Sequence, residues 1–255
     1  MATVTDELPI IEPEAQVRPP KAIGQWMRQA FFDWRTHPLS STFYGAAFAV
    51  MGWLLHDLFF SAPHHVITLA TAFLLAGPFL SIGLYEISRR TEARGPVRLI
   101  PTLTAWRHNV GGISLFSIIL ALLVAGWLRV SVVIVALFLE ADLTTTTALF
   151  STSFLSVDNL PFIAIYLGTA IAFGGLVFAI SVVSIPLMLD RDCDTLTAIF
   201  ASVRVVVASP VTMLLWGSLI CAMTVIGFLT HFVGLALVGP VVGHATWHAY
   251  RDLLR

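Results

Sequence analysis

The chain has 255 residues, of which 57% are hydrophobic and only 11% are charged, and its mean hydropathy is +0.87. This composition excludes an ordinary soluble domain and indicates a polytopic, all-α membrane protein. The formal net charge of −1 gives no basis for a nucleic-acid partner. The two cysteines, Cys193 and Cys221, lack the CxxC spacing of a zinc site and do not indicate a disulfide framework.

The N-terminal region predicts a tail followed by a surface helix. Residues 1–20 are acidic and rich in proline, so we expect a disordered tail, followed by a single membrane domain over residues 21–255. That domain opens with an amphipathic helix, because Ile23, Trp26 and Trp34 fall on one helical face while the cations lie off it. We expect this helix to lie in the membrane interface with its tryptophans at headgroup depth.

Apolar runs long enough to cross the hydrocarbon recur along the rest of the chain. They predict six transmembrane helices, at about residues 42–60, 66–87, 110–128, 160–189, 211–228 and 231–249. The apolar run that follows the third span is too short to cross, and we interpret it as a helix extension or an interfacial segment. The fifth and sixth spans are joined by so few residues that they are expected to form a tight antiparallel hairpin.

Short internal matches indicate that the spans form three tandem helical hairpins. A Gly-Pro pair precedes an aromatic residue and an arginine at the same spacing twice: Gly77, Pro78, Tyr85 and Arg89, and Gly239, Pro240, Trp247 and Arg251. Pro186 marks a third, looser copy, and the sequence TLTA recurs at 102–105 and 195–198. Each unit is therefore predicted to be one amphipathic interfacial helix followed by a hairpin through the bilayer.

The basic residues predict the orientation of this arrangement. Of the 14 Lys and Arg residues, all except Arg129 fall on the same side of the predicted bundle. Because loops on the cytoplasmic side carry the excess of positive charge, we expect the N- and C-termini to be cytoplasmic.

The prolines inside predicted spans, Pro78, Pro186 and Pro240, mark helix breaks, because proline removes a backbone hydrogen bond. Together with Gly77 and Gly239 they could expose backbone groups to a substrate, as broken helices do at matching positions of repeated transporter units. No charged residue lies nearby at mid-membrane to receive a substrate, which favours packing kinks. A small transporter or channel-like bundle is nevertheless kept as one alternative function.

His244 and His248 lie four residues apart on one helix face, where an imidazole pair can ligate a metal or contribute to a haem site. The sequence offers no third ligand at a defined spacing, so interfacial histidines bonded to nearby backbone or to the N-terminal tail explain the pair better. A haem- or metal-binding membrane protein is the second alternative, but we predict no metal and no cofactor.

Carboxylates near the ends of the spans have structural explanations. Glu86 is the one carboxylate embedded toward the end of a span, and such acids are often functional. Arg89 and Arg90 follow it at i+3 and i+4, so we interpret the three as a cytoplasmic ion pair rather than a proton relay. Asp192 and Asp194 stand where they are expected to cap a following helix rather than bind a cation.

Four blocks of the sequence carry a family resemblance: FYGAAFAVMGWLL, AGPFLSIGLYEISRR, VFAISVVSIPLMLDRDCDTLTA and LVGPVVGHATWHAYRDLL. They resemble the uncharacterised bacterial integral-membrane family, domain of unknown function (DUF) 2189, over about Trp26 to Leu253. The resemblance implies a six-span protein of the bacterial inner membrane and brings no established activity. Members are sometimes linked to cytochrome c oxidase, but this chain lacks the many intramembrane histidines of a haem-copper catalytic subunit.

The function we expect from the sequence is a non-catalytic one. No nucleophile elbow, phosphate-binding loop or zinc-protease motif is present, so we predict no enzyme activity. The leading interpretation is an accessory or scaffold subunit of a larger inner-membrane complex, for which a respiratory complex is one candidate. Its partners would be the lipid bilayer and other membrane-protein subunits.

Overall fold

The computed structural model describes residues 14–61, 80–138 and 160–254. Within these segments the fold is all-helical, as predicted, and the only β-type pairing is an isolated bridge between Ala15 and Leu254. The helices, numbered in chain order, are α1 (Ala22–Thr36), α2 (Pro38–Ser61), α3 (residues 80–92 of its described part), α4 (Leu99–Leu103), a 3-10 helix (Ala105–Asn109), α5 (Val110–Phe138), α6 (Leu160–Ser181), α7 (Ser184–Asp190), α8 (Thr195–Ala208), α9 (Pro210–Leu229) and α10 (Leu235–Leu253).

Three helical segments among the described residues are long and apolar enough to cross a membrane: Ala105–Phe138, Leu160–Asp190 and Pro210–Leu229. They contain the third, fourth and fifth predicted spans. The first and sixth predicted spans are largely helical, in α2 and α10, but neither belongs to these three. Most of the second, 66–87, lies outside the described residues. The arrangement of six spans in three hairpins is therefore not confirmed and stays a prediction.

The structure changes the boundaries of three predicted spans. α5 continues to Phe138, so the apolar run after the third span is a helix extension. The fourth span is broken at residues 182–183, where Val183 leaves helical geometry and α7 begins. α10 begins at Leu235 rather than at His231, because His231 and Phe232 have positive φ angles of 53° and 66° in the turn after α9.

Three stretches of the described chain each open with a shorter helix that is followed by a longer one. These units are α1 to α3, α4 to α7, and α8 to α10. In each unit, the start of the long helix contacts the segment that opens another unit. The contacts are Tyr44 Oη with Thr102 Oγ1 at 2.8 Å, Thr195 Oγ1 with the Gly112 carbonyl at 2.9 Å, and Thr212 Oγ1 with the Arg18 carbonyl at 2.6 Å.

Arg18 precedes the first unit, so the third of these contacts joins the end of the chain back to its beginning. Packing agrees with this closure, because α8 lies against α6 and α7 while α1 lies against α10. Thr102 and Thr195 are the first residues of the two TLTA copies, and each forms a hydrogen bond with the start of a long helix, α2 for Thr102 and α5 for Thr195. Asp194 accepts hydrogen bonds from the backbone N–H groups of Leu196 and Thr197, which confirms the predicted cap of α8.

Helix α1 is amphipathic, as predicted, but its apolar face packs on protein. Trp26 is only 1% exposed and meets Trp216 edge to face, with ring centroids 5.7 Å apart. Its Nε1 donates to Asp252 at 3.1 Å. The expectation that Trp26 lies at headgroup depth is therefore wrong: its indole has both an apolar neighbour and a hydrogen-bond acceptor inside the bundle, where burial is more favourable.

The predicted tail is ordered over its last residues. Residues 1–13 lie outside the described residues, whereas residues 14–20 run beside the end of α10 and the start of α9. The Gln16 N–H donates to the Leu253 carbonyl at 2.8 Å, and the Arg18 side chain forms an ion pair with Asp252 at 2.8 Å. Backbone and charge partners supplied by distant residues order this segment, and local composition gives no sign of them.

Candidate functional site

Three helix ends converge on one cation at the charged end of the bundle. Arg251 on α10 contacts Glu92 at the end of α3 at 3.1 Å and Asp190 at the end of α7 at 3.2 Å. Trp247 Nε1 donates to Glu92 at 3.2 Å, and the Tyr250 hydroxyl donates to Asp190 at 2.7 Å. We call these five residues the charged network, and its contacts fix the last helices of the three units relative to one another.

His244 is fully buried between two serines of other helices. Its Nε2 lies 2.9 Å from Ser41 Oγ on α2, and its Nδ1 lies 2.7 Å from Ser88 Oγ on α3. A neutral imidazole has one donor and one acceptor, and a hydroxyl can take either role, so both ring nitrogens are satisfied. His244 therefore joins α2, α3 and α10 through two serine hydroxyls, partners that the sequence did not identify.

His248 has different surroundings from His244, although the two lie on one face of α10. Its Nε2 is 2.8 Å from Oδ2 of Asp33, a residue of α1 whose side chain is almost completely buried. The structure thus directs the two histidines to separate partners and gives them no shared ligand. Across the described segments, no three His, Cys, Asp or Glu side chains come together in a group that could hold a metal ion.

Glu86 has no exposed side-chain surface and contacts both arginines that follow it. Arg89 Nε lies 2.7 Å from one carboxylate oxygen, and Arg90 Nε lies 2.6 Å from the other. Both arginines keep part of their side chains exposed, so the guanidinium groups reach solvent while neutralising the buried charge. This geometry leaves Glu86 engaged on both oxygens.

The proline breaks within the described residues are filled by packing. Pro240 lies inside α10, where it deprives the Ala236 carbonyl of its usual helical donor. That carbonyl faces Gly45 of α2 so closely that a β-carbon on Gly45 would lie 2.0 Å from its oxygen. A β-carbon on Gly239 would lie 2.8 Å from the Phe48 ring. α2 therefore covers this break, while Gly77 and Pro78 lie outside the described residues.

The second break, between α6 and α7, is bonded to α8. Pro186 is the third residue of α7, and the break at residues 182–183 precedes it. The Ser184 hydroxyl donates to the Ala198 carbonyl of α8 at 3.0 Å, and the Ser202 hydroxyl of α8 donates to the Ala179 carbonyl at 2.7 Å. The Ser202 hydroxyl thus supplies a donor to a carbonyl at the end of α6, and the Ser184 bond joins α7 to α8.

A pocket of about 590 Å³ opens between α1 and the ends of α3 and α10. Its lining includes His248 and Asp33 on one side and Glu92 and Arg251 of the charged network on another. Sequence reasoning missed Asp33 and Glu92. Asp33 did carry a signal, because it is an acid in line with the apolar positions of an amphipathic helix, whereas Glu92 resembles any charge in a solvated loop.

Comparison with known families adds one assignment. The family model described as "Predicted integral membrane protein (DUF2189)" matches residues 66–190. This segment belongs to the DUF2189 family. The resemblance inferred from the sequence is confirmed over this range, which is narrower than the expected Trp26 to Leu253. No curated protein and no solved structure matches the chain.

The DUF2189 segment supplies the two acids of the charged network, Glu92 and Asp190, and the C-terminal helix supplies the cation that joins them. Burial raises the pKa of the Tyr250 phenol, and its hydrogen bond to Asp190 raises that pKa further, so Tyr250 remains a protonated donor. The network therefore holds the DUF2189 segment against the rest of the chain. The family description, together with three described helices that are long and apolar enough to cross a membrane, identifies an integral membrane protein.

Proposed function

We propose that this protein is a non-catalytic accessory or scaffold subunit of a larger complex in the bacterial inner membrane. The proposal rests on the length of α5, which is greater than a crossing of the bilayer requires, and on the packing of its apolar end against the start of α6. These two ends comprise residues 130–138 of α5 and residues 160–166 of α6, and we call them the two-helix extension.

The length of α5 supports this assignment. Its 29 residues span about 44 Å at 1.5 Å per residue, whereas the hydrocarbon core of a bilayer is about 30 Å thick. Arg129 is exposed on α5 and has no ion-pair partner among the described residues, and an arginine that faces lipid belongs at the level of headgroups or water. Residues 110–128 are sufficient to cross, so residues 130–138 extend roughly 13 Å past the level of Arg129.

The two-helix extension is apolar on its outer side as well as its inner side. Ile134 and Val135 pack against Phe162 of α6 and form a small core. Val132 and Leu137 are exposed, Leu137 by 75% of its surface. Apolar surface at this depth is stabilised by cover from another protein, which favours a docking role.

The absence of catalysis is proposed from how the buried polar side chains are used. Both nitrogens of His244 and both oxygens of Glu86 are engaged by groups of the same chain. A catalytic base or nucleophile must be able to contact a substrate, whereas the nitrogens of His244 and the oxygens of Glu86 are already bonded within the chain. The excess of cations at the charged end supports a cytoplasmic location of that end and of both termini.

Site-specific photo-cross-linking in native membranes tests the docking role. A photoreactive amino acid at Leu137, in the two-helix extension, is expected to give one adduct with a different protein. The matched control is Leu122, which is 68% exposed on the same helix but lies within residues 110–128. We expect Leu122 to react with lipid. Adducts confined to the protein's own chain at Leu137, or the same adducts at both positions, would contradict the proposal.

A further inference from the structure

The pocket at the charged end has two walls, and each of them carries both charge signs: Arg28 and Asp33 lie on α1, and Arg251 lies with Glu92 and Asp252 on the other wall. The first wall is a stripe on α1, with Gln25, Arg28, Gln29 and Phe32 at positions i, i+3, i+4 and i+7. Among residues 14–61, 80–138 and 160–254, none forms a hydrogen bond or an ion pair with the side chain of Gln25, Arg28 or Gln29. This wall therefore presents one guanidinium and two amide groups whose donors are available to a ligand.

The second wall carries carboxylates. Glu92 accepts from Trp247 and Arg251, and its side chain is still 42% exposed. Asp252 accepts from Trp26 and pairs with Arg18. An ionised carboxylate has about four acceptor sites, so each of these acids retains acceptor capacity for a group in the pocket.

We propose that this pocket binds a zwitterionic phosphate–amine group, of the kind found in the phosphoethanolamine headgroup of membrane lipids. Arg28 with Gln25 and Gln29 would hold the phosphate oxygens, and Glu92 with Asp252 would accept from the ammonium group. A simple anion would be repelled by the carboxylates of the second wall, and a simple cation would be repelled by Arg28. The volume of about 590 Å³ falls within the usual range for small-ligand sites.

The position of the pocket favours a lipid over a soluble ester as the source of that group. Phe32 lines the pocket and is 64% exposed, and Phe31 beside it is also exposed. Exposed aromatic residues on an amphipathic helix are typical of the membrane interface, where they contact the upper part of acyl chains. A headgroup in the pocket would thus continue into a hydrophobic contact at its edge.

Native mass spectrometry of the purified full-length protein tests the proposal. Phosphatidylethanolamine, phosphatidylglycerol and phosphatidylcholine are added separately, and bound lipid is measured against concentration. We expect phosphatidylethanolamine to bind about tenfold more tightly than the other two, because only its headgroup combines the phosphate with a hydrogen-bonding ammonium. Arg28→Gln should weaken its binding about tenfold, whereas Glu92→Gln should remove the preference over phosphatidylglycerol.

Arg35→Gln is the matched control, since Arg35 lies on the same helix, stacks over Phe31 and does not line the pocket. Arg28→Gln removes no interaction among the described residues, so its melting temperature should equal that of the wild type. Binding of soluble glycerophosphoethanolamine without retention of lipid would support the site and assign it to a soluble ligand. Equal binding of all three lipids, unchanged in Arg28→Gln, would overturn the proposal.

Discussion

Gly45→Ala tests the close packing of α2 against α10. The added methyl would lie 2.0 Å from the Ala236 oxygen and 2.9 Å from Pro240 Cγ. A comfortable carbon contact is about 3.5 Å or more, so α2 and α10 would have to separate by roughly 1.5 Å. Neither neighbour can rotate away, because one is backbone and the other is a proline ring. Overpacking typically costs 1–3 kcal/mol, and we expect a loss of about 3 kcal/mol here.

The assay is unfolding of the purified protein in detergent, followed by tryptophan fluorescence. Gly174→Ala is the control, because a β-carbon at Gly174 in α6 meets nothing within 4 Å. Alanine is the better helix former, so this control should be unchanged or more stable by up to about 1 kcal/mol. Equal stability of the wild type and Gly45→Ala would refute the packing of α2 on the Pro240 break.

Three further predictions concern the polar contacts. Ser88→Ala leaves His244 Nδ1 buried without its serine partner and should destabilise the protein by about 1–3 kcal/mol. The control Ser117→Ala removes only a bond within its own helix and should cost less. Chemical unfolding of the two variants measures this difference. Asp194→Ala removes the cap of α8 and should cost about 1 kcal/mol. Hydrogen bonds from Thr197 lower the pKa of Asp194. The contribution of Asp194 to the free energy of unfolding is therefore present above its unfolded pKa and is lost as pH falls through its folded pKa. In unfolding experiments across acidic pH, the stabilities of the wild type and Asp194→Ala should converge as the pH falls.

The sequence was sufficient for features that depend on neighbouring residues. Apolar runs located the described helices, and the position of Asp194 before α8 predicted its cap. For the apolar run after the third span the sequence left two alternatives, a helix extension or an interfacial segment, and the extension is confirmed because α5 continues to Phe138 without a breaker. Bilayer thickness sets the shortest helix that can cross, but it does not determine where a helix ends.

The sequence was insufficient for features that depend on which helices face each other. The periodicity of α10 placed His244 and His248 on one face, but nothing local indicated that Ser41 and Ser88 meet the first and Asp33 meets the second. Similarly, Trp26 was assigned to lipid because the acceptor of its indole N–H, Asp252, is at the far end of the chain. Amphipathic patterning predicts a buried face without identifying what buries it.

The central claim is that the protein serves as a subunit of a larger membrane assembly. The most direct test is purification of the natively expressed protein from its own membranes in a mild detergent, followed by mass spectrometry of the subunits present in fixed stoichiometry. The account predicts that at least one other integral membrane protein is recovered at a constant ratio, and that replacing Leu137 with a charged residue abolishes its recovery. Recovery of the protein alone, as a monomer or a homo-oligomer, would contradict the scaffold function.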